Sequence, residues 1–238
     1  NVSVMTLSSQ PVEFSLTLPG RVTPFRQSQV RPQVNGIITS RLFEEGAQVK
    51  QGQQLYQIDD ARYIAQLNSA QADLESVQAN LKAIEAKSAR YKDLVARKAV
   101  SQQEYDDVIA QTAQAKAAIS VANASLAVAQ VNLDYTKVYA PIDGRISRSY
   151  ITEGALVTTN QAQQLATITQ LDPVYLDMQE SGKAVLELQE EMRKHPSLPV
   201  TVLIDENRGS IYQHKGDVKF SEVTVDESTG SITLRAVV

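Results

Sequence analysis

The chain of 238 residues has no cysteine and no tryptophan, and aromatic side chains make up only 5% of it. Without cysteine there is no disulfide frame, no thiolate metal site and no cysteine nucleophile. Acidic residues outnumber basic ones by 27 to 23, for a net charge of −4 and a pI near 5.3. No basic cluster interrupts that balance, so nucleic acid is not an expected partner. No apolar run approaches the roughly 20 residues of a membrane-spanning helix. The chain starts at Asn1 without an initiator methionine or a signal segment, and it stops inside the strand-like run Ser231–Val238. It reads as a piece of a longer protein whose targeting segment lies outside it.

The most telling absence is local. Between Gly52 and Pro141 there is no glycine or proline, although the chain has 10 Gly and 8 Pro. Such a stretch predicts uninterrupted helix. On either side of it lie two matching β-type strips. Arg31-Pro32-Gln33-Val34-Asn35-Gly36-Ile37-Ile38, Glu45-Gly46-Ala47-Gln48-Val49 and Leu55-Tyr56-Gln57-Ile58 form the first. Ala140-Pro141-Ile142-Asp143-Gly144-Arg145-Ile146, Glu153-Gly154-Ala155-Leu156-Val157 and Leu165-Ala166-Thr167-Ile168 form the second. Gly36/Gly144, Ile38/Ile146, Gly46/Gly154 and Val49/Val157 are each 108 positions apart, and Leu55/Leu165 and Ile58/Ile168 are 110 apart. A small β-fold built from an internal repeat thus acts as the mounting base of a helical insert.

The insert carries two narrow heptad stripes. The first is Leu67, Ala70, Leu74, Val77, Leu81, Ile84, Ser88, Tyr91 and Val95; the second is Tyr105, Val108, Thr112, Ala115, Ile119, Ala122, Leu126, Ala129 and Leu133. If the chain folds back near residue 100, the facing pairs have residue numbers that always sum to 199 or 200, so the register never slips. The insert is therefore an antiparallel helical hairpin. Its first helix is expected over Asp60–Lys98, roughly 58 Å at 1.5 Å per residue. Asp59 or Asp60 is positioned to cap it, and Ser101-Gln102-Gln103-Glu104 has the form of a capping box for the second helix. Off the seam, the second helix carries Ala110, Ala113, Ala117, Ala118, Ala124 and Ala127. These suit either helix propensity alone or side-by-side packing of neighbouring hairpins.

The flanks read as β-structure. Strands are expected before residue 27, with a turn at Pro19-Gly20, and near Val174–Met178, Val200–Ile204, Val218–Val225 and Ser231–Val238; one amphipathic helix is expected over Ser181–Lys194. The two histidines, His195 before a proline and His214 in an expected loop, have no second ligand at metal spacing. There is no GxSxG, P-loop or GxGxxG. Glu44/Glu45 and Asp205/Glu206 read as solvated loop charges, and Asp106/Asp107 favour the dipole at the start of the second helix. No catalytic, cofactor-binding or metal-binding residue is expected, and an enzyme is not. Paired β-halves resemble the lipoyl/biotinyl carrier fold, which presents a modified lysine on a tight turn; here the hairpin takes that position and Lys137 sits on a strand entry. A carrier subunit is the rival reading from another class.

The motifs resemble those of periplasmic adaptors, or membrane fusion proteins, of RND-type tripartite multidrug efflux pumps. The likeness runs through Leu18-Pro19-Gly20-Arg21, the two strips above, Thr152-Glu153-Gly154-Ala155-Leu156-Val157, Gln170-Leu171-Asp172-Pro173-Val174-Tyr175 and the run from Phe220 to Val238, including Val225-Asp226-Glu227-Ser228-Thr229-Gly230. It implies an elongated α+β multidomain architecture: a β-barrel domain from 1–27 plus 172–238, incomplete at its C-terminus; a lipoyl-like barrel-sandwich domain from 28–59 plus 137–171; and a coiled-coil hairpin over 60–136. It implies hinges near Asp59/Thr136 and Gln27/Asp172. It also implies an inner-membrane RND transporter and a TolC-type outer-membrane channel as partners, self-association as a trimer or hexamer, and a periplasmic location with an N-terminal lipid anchor. In the family, an Arg, a Leu four residues on and a Ser seven beyond contact the channel from the hairpin tip; Arg90, Leu94 and Ser101 have that spacing. An adaptor of an ABC-type or type I secretion transporter is the nearest rival.

Overall fold

The computed structural model describes residues 16–181, 198–205, 210–221 and 231–238. The elements in chain order are β1 (Gly20–Val30), β2 (Gly36–Arg41), β3 (Gln48–Val49), β4 (Gln54–Ile58), α1 (Ala61–Ala96), α2 (Gln102–Asp134), β5 (Lys137–Tyr139), β6 (Gly144–Ile146), β7 (Leu156–Val157), β8 (Ala166–Ser181), β9 (Pro199–Asp205), β10 (Ser210–Ser221) and β11 (Ser231–Val237). The fold is mixed α+β, and it divides into two compact units, one of them Gln27–Thr169.

Within Gln27–Thr169 the two repeat strips meet. β2 pairs antiparallel with β7, joining Gly36 to Val157 and Ile37 to Leu156, while β3 pairs with β6, joining Val49 to Gly144 and Gln48 to Arg145. These two ladders are the same ladder seen from each half. The loops repeat the pattern bond by bond. Ile38 N donates to Ala155 O and Ile146 N to Ala47 O, each at 3.0 Å; Gly154 N donates to Ile38 O at 2.8 Å and Gly46 N to Ile146 O at 3.0 Å. The side chains follow suit. Glu45 accepts from Ser149 N at 3.0 Å, and Glu153 accepts from Arg41 N at 2.7 Å. Gln53 accepts from Lys50 N, as Gln161 does from Thr158 N. Glu45, read from sequence as a solvated charge, instead ties the two strips together and also pairs with Arg41 at 2.6 Å.

This cross-pairing explains the conserved spacing inside the chain. Gly46 and Gly154 both have positive φ, +77° and +82°, a conformation most side chains resist. Ile38, Ile146, Val49, Val157, Leu55, Leu165, Ile58 and Ile168 are all fully buried in one core, each contributing about 1.5–3 kcal/mol by burial.

Between β4 and β5 the chain leaves as α1 and returns as α2. All eighteen residues of the predicted stripes are buried or half-buried, so the seam lies where the heptads place it. Glu85 and Lys116 bridge the helices beside it at 3.5 Å. Asp59, not the N-cap residue Asp60, supplies the first helix's cap by accepting from Ala61 N at 3.1 Å. α1 stops at Ala96, two residues before the predicted end.

The other unit takes the described residues before Gln27 together with those from Gln170 onward. β11 pairs antiparallel with β8 and with β10, which in turn pairs with β9, while β1 pairs with β8 and carries Pro24, as an outer strand tolerates. Leu176 and Met178 of β8 and Ile232, Leu234 and Ala236 of β11 alternate into its core with Val218. On the opposite face of the same ladder Arg235 lies across from Asp177 and forks onto it at 2.6 and 3.0 Å, and Thr23 donates to the same carboxylate at 3.0 Å. β10 contains His214, which sits in a strand rather than the expected loop, its ring 5.3 Å from that of Tyr212 two residues away on the same face. The expected Val218–Val225 strand is seen as far as Ser221. Residues 1–15, the expected helix beyond Ser181, His195, Glu206 and 222–230 lie outside the described residues.

Two outcomes follow from these ties. Glu45→Ala and Glu153→Ala, equivalent under the repeat, should each lower urea-unfolding stability by roughly 1 kcal/mol with an unchanged slope. The Arg235 guanidinium holds the Asp177 carboxyl below its ordinary value against the opposing effect of burial, so its stabilisation is complete above the unfolded value and fades as pH falls through the folded one. The stability gap between the native chain and Asp177→Asn should therefore be full near pH 7 and begin to shrink only below about pH 4, as unfolding titrations carried from neutral into acid would measure.

Candidate functional site at the hairpin tip

The tip is built from the end of α1, a short turn and the start of α2. α1 ends on an arrangement that glycine usually completes. Arg97 is the C-cap, Lys98 N donates to Val95 O and Ala99 N donates to Leu94 O, both at 2.9 Å. These are the two bonds of a Schellman motif, with Lys98 at its left-handed position, φ 55°. A lysine there costs about 1 kcal/mol relative to glycine. The register placed a turn near residue 100, but nothing marked Lys98 for this left-handed position, because the residue that normally signals it is absent.

α2 begins on the predicted capping box. The Ser101 hydroxyl accepts from Glu104 N at 3.2 Å and donates to the Glu104 carboxylate at 3.0 Å, and that carboxylate also accepts from Ser101 N at 2.9 Å. The Ser101 amide, and then its hydroxyl, hold the Glu104 carboxyl below its ordinary value. Ser101 therefore has its proton committed inside the chain, leaving one lone pair for any outside donor.

Arg90 and Leu94 stand one turn apart on α1, outside the seam that Tyr91 and Val95 occupy. Arg90 is exposed, and Leu94 is 37% exposed despite being apolar. Lys87 lies over the Tyr91 ring at 5.6 Å, at the seam edge just below Arg90. The structure thus collects all three residues at one end of the hairpin. Arg90 and Leu94 share a helix; Ser101 lies across the turn from them and opens α2. Chemically this is an exposed planar cation beside an exposed aliphatic side chain, on the helix that leads into a capped turn. It suits docking against carbonyls and small side chains. Among the described residues no group of acids and histidines is arranged to hold a metal, and no helix is long and apolar enough to cross a membrane.

Comparison with known proteins gives the family of the chain. The barrel-sandwich hybrid domain model of the RND membrane fusion proteins matches residues 26–169, and the β-barrel domain model of the same proteins matches 173–238. The chain belongs to the RND membrane fusion protein family. This membrane fusion protein is 46% identical to the multidrug export protein AcrE of Escherichia coli over 99% of its own length and 62% of that protein. It is 48% identical to the multidrug resistance protein MexA of Pseudomonas aeruginosa, over 99% of its length and 59% of that protein. It therefore spans about 60% of the length of these curated relatives. A crystal structure of a MacA–MexA chimeric protein containing the Pseudomonas aeruginosa MexA α-hairpin domain superposes with a TM-score of 0.64 at 28% identity, over 92% of this chain and 73% of that one. The membrane fusion protein Spr0693 of Streptococcus pneumoniae, 16% identical, shares the fold with a TM-score of 0.68, over 92% of each chain.

The tip's stability should respond in opposite directions to two substitutions. Ser101→Ala removes the cap and should cost about 1 kcal/mol, whereas Lys98→Gly relieves the left-handed lysine and should add about 1 kcal/mol. Thermal unfolding followed by helical circular dichroism would read both.

Proposed function

We propose that this chain is the central part of a periplasmic adaptor that links an inner-membrane RND drug/proton antiporter to a TolC-type outer-membrane channel in a tripartite multidrug efflux pump. The observation that carries the reading is the exposed Arg90–Leu94 pair on a capped tip, some 36 helical residues out from a barrel-sandwich base. In this reading the parts divide as a hairpin over 60–136, a lipoyl-like domain from 28–59 and 137–171, and a barrel domain from 1–27 and 172–238. The tip residues Arg90, Leu94 and Ser101 engage the channel, with Ser101 serving as cap and contact at once. The barrel domain, with the part of the protein outside this chain, faces the transporter. Copies associate around the pump axis as a trimer or hexamer, in the periplasm, anchored by an N-terminal lipid. The chain itself carries out no chemistry and needs no cofactor; it couples its partners by geometry.

The exposed alanines of α2 and the exposed Val121 and Val128 favour the self-association part of this reading, since small side chains let neighbouring helices approach closely. Related proteins carry names such as antibiotic efflux pump periplasmic linker protein ArpA of Pseudomonas putida, 48% identical over 99% of this chain and 61% of that one.

The test is Arg90→Asp and Leu94→Asp in the full-length protein, in cells that depend on it for drug resistance. Each should weaken channel binding by roughly 30-fold, the loss of a 2 kcal/mol contact, and bring resistance down toward that of cells without the adaptor. Unchanged resistance at normal protein level would remove the tip-docking claim.

A further inference from the structure

Among the described residues, Lys98 is the one residue other than glycine with a left-handed backbone, φ 55°. Lysine gains nothing from that conformation, whereas a glycine would complete the turn without steric cost. Its side chain brings no compensation from within the chain. Lys98 is exposed, and among the described residues its ammonium group has no ion pair, ring contact or hydrogen bond. Two acids at the start of α2 are engaged elsewhere. Glu104 accepts from the amide and the hydroxyl of Ser101, and Asp106 accepts from Gln102 Nε2 at 2.9 Å. The dipole at the end of α1 favours a cation, but Arg97 at the C-cap already meets it with φ at −91°. A backbone outlier that nothing inside the chain accounts for is of the kind that gathers at sites of contact with something else.

We propose that Lys98 is a further contact residue of the tip, whose ammonium group meets a carboxylate on the outer-membrane channel. This deepens the function proposed above and rests on it. Arg90 lies seven residues before the C-cap Arg97, about 10 Å down the rod at 1.5 Å per residue, so the two cations reach different parts of a partner. Their chemistry differs as well. The planar fork of Arg90 fits paired oxygens and depends on direction. The ammonium of Lys98 is a compact point charge on a flexible stem, matched by a carboxylate over a wide range of angles. The turn starts that stem at the far end of the hairpin, between the last residue of α1 and the first of α2.

The test is binding of the full-length adaptor to the purified TolC-type channel of its host, by surface plasmon resonance in about 0.05 M and about 0.5 M salt. Lys98→Gly and Lys98→Asn both suit a left-handed position and remove the charge, while Lys98→Arg keeps it. In low salt the two neutral variants should each bind about fivefold more weakly, even though Lys98→Gly raises the unfolding temperature of the hairpin. Lys98→Arg should bind within about twofold of the native protein, and high salt should close the gap between the native and neutral forms. Native-like binding by the neutral variants, a loss in Lys98→Arg equal to theirs, or a loss that persists in high salt would each overturn the proposal. Arg90→Asp separates it from the reading beneath it. Binding lost in Arg90→Asp but kept in Lys98→Gly overturns the role of Lys98 alone; binding kept in both overturns tip docking as well.

Discussion

Everything in the larger unit depends on two distant strips of chain completing each other's hydrogen bonds. Alone, each strip has one two-stranded ladder, β2 with β4 in the first and β6 with β8 in the second. β3, β6 and β7 are two or three residues long, too short to stand as hairpins in water. They persist because each lends its amides and carbonyls to the other half, Glu45 and Glu153 reaching across in opposite directions and Asn35 and Asp143 doing the same. This arrangement also resolves a topological problem. A chain with a helical hairpin inserted in its middle must bring the two ends of the insert to one place, and the interlocked strips do so while burying Leu55, Ile58, Leu165 and Ile168 beneath the point of departure.

The hairpin follows a different logic. Its seam is narrow, with Leu74, Val108 and Ala115 its only residues below a tenth exposed, so two long helices stand out with little core of their own. Such a rod gains its order at the two ends. At the base, Tyr63, Leu133 and Thr136 plug into the body. At the far end, the capping box on Ser101 and the Schellman turn around Lys98 satisfy amides and carbonyls that would otherwise fray. The side chains between those two ends are mostly exposed.

Much of this was legible before any coordinates. The offsets of 108 and 110 identified the strips, the glycine- and proline-free stretch identified the insert, and the constant residue-number sum fixed the helix register. Those signals are strong because they are periodic, and periodicity survives substitution at single positions. The cap on Ser101 was found by its partner three residues on, whereas Arg90, Leu94 and Ser101 as contacts came from the family resemblance and stand as a proposal. The misses are of another kind. Lys98 in a left-handed turn carried no glycine or asparagine to announce it. Glu45 looked like a loop charge because its partner amide is more than a hundred residues away. His214 was placed in a loop because polar residues around it hid a strand that pairs with β9 on one edge and β11 on the other.

The sequence by itself determined which segments are helix, which strips are equivalent and which residues line the seam, because these follow from local propensity and from patterns that repeat along one dimension. Only the tertiary structure decided that a tyrosine in the first turn of a helix, Tyr63, belongs to the core of the β-body, that its hydroxyl ends on the backbone of Asn35, and that Asp177 meets Arg235 and Thr23 from two other strands. Those contacts join residues with no shared period, and their partners are chosen by packing in three dimensions, which a linear pattern does not encode.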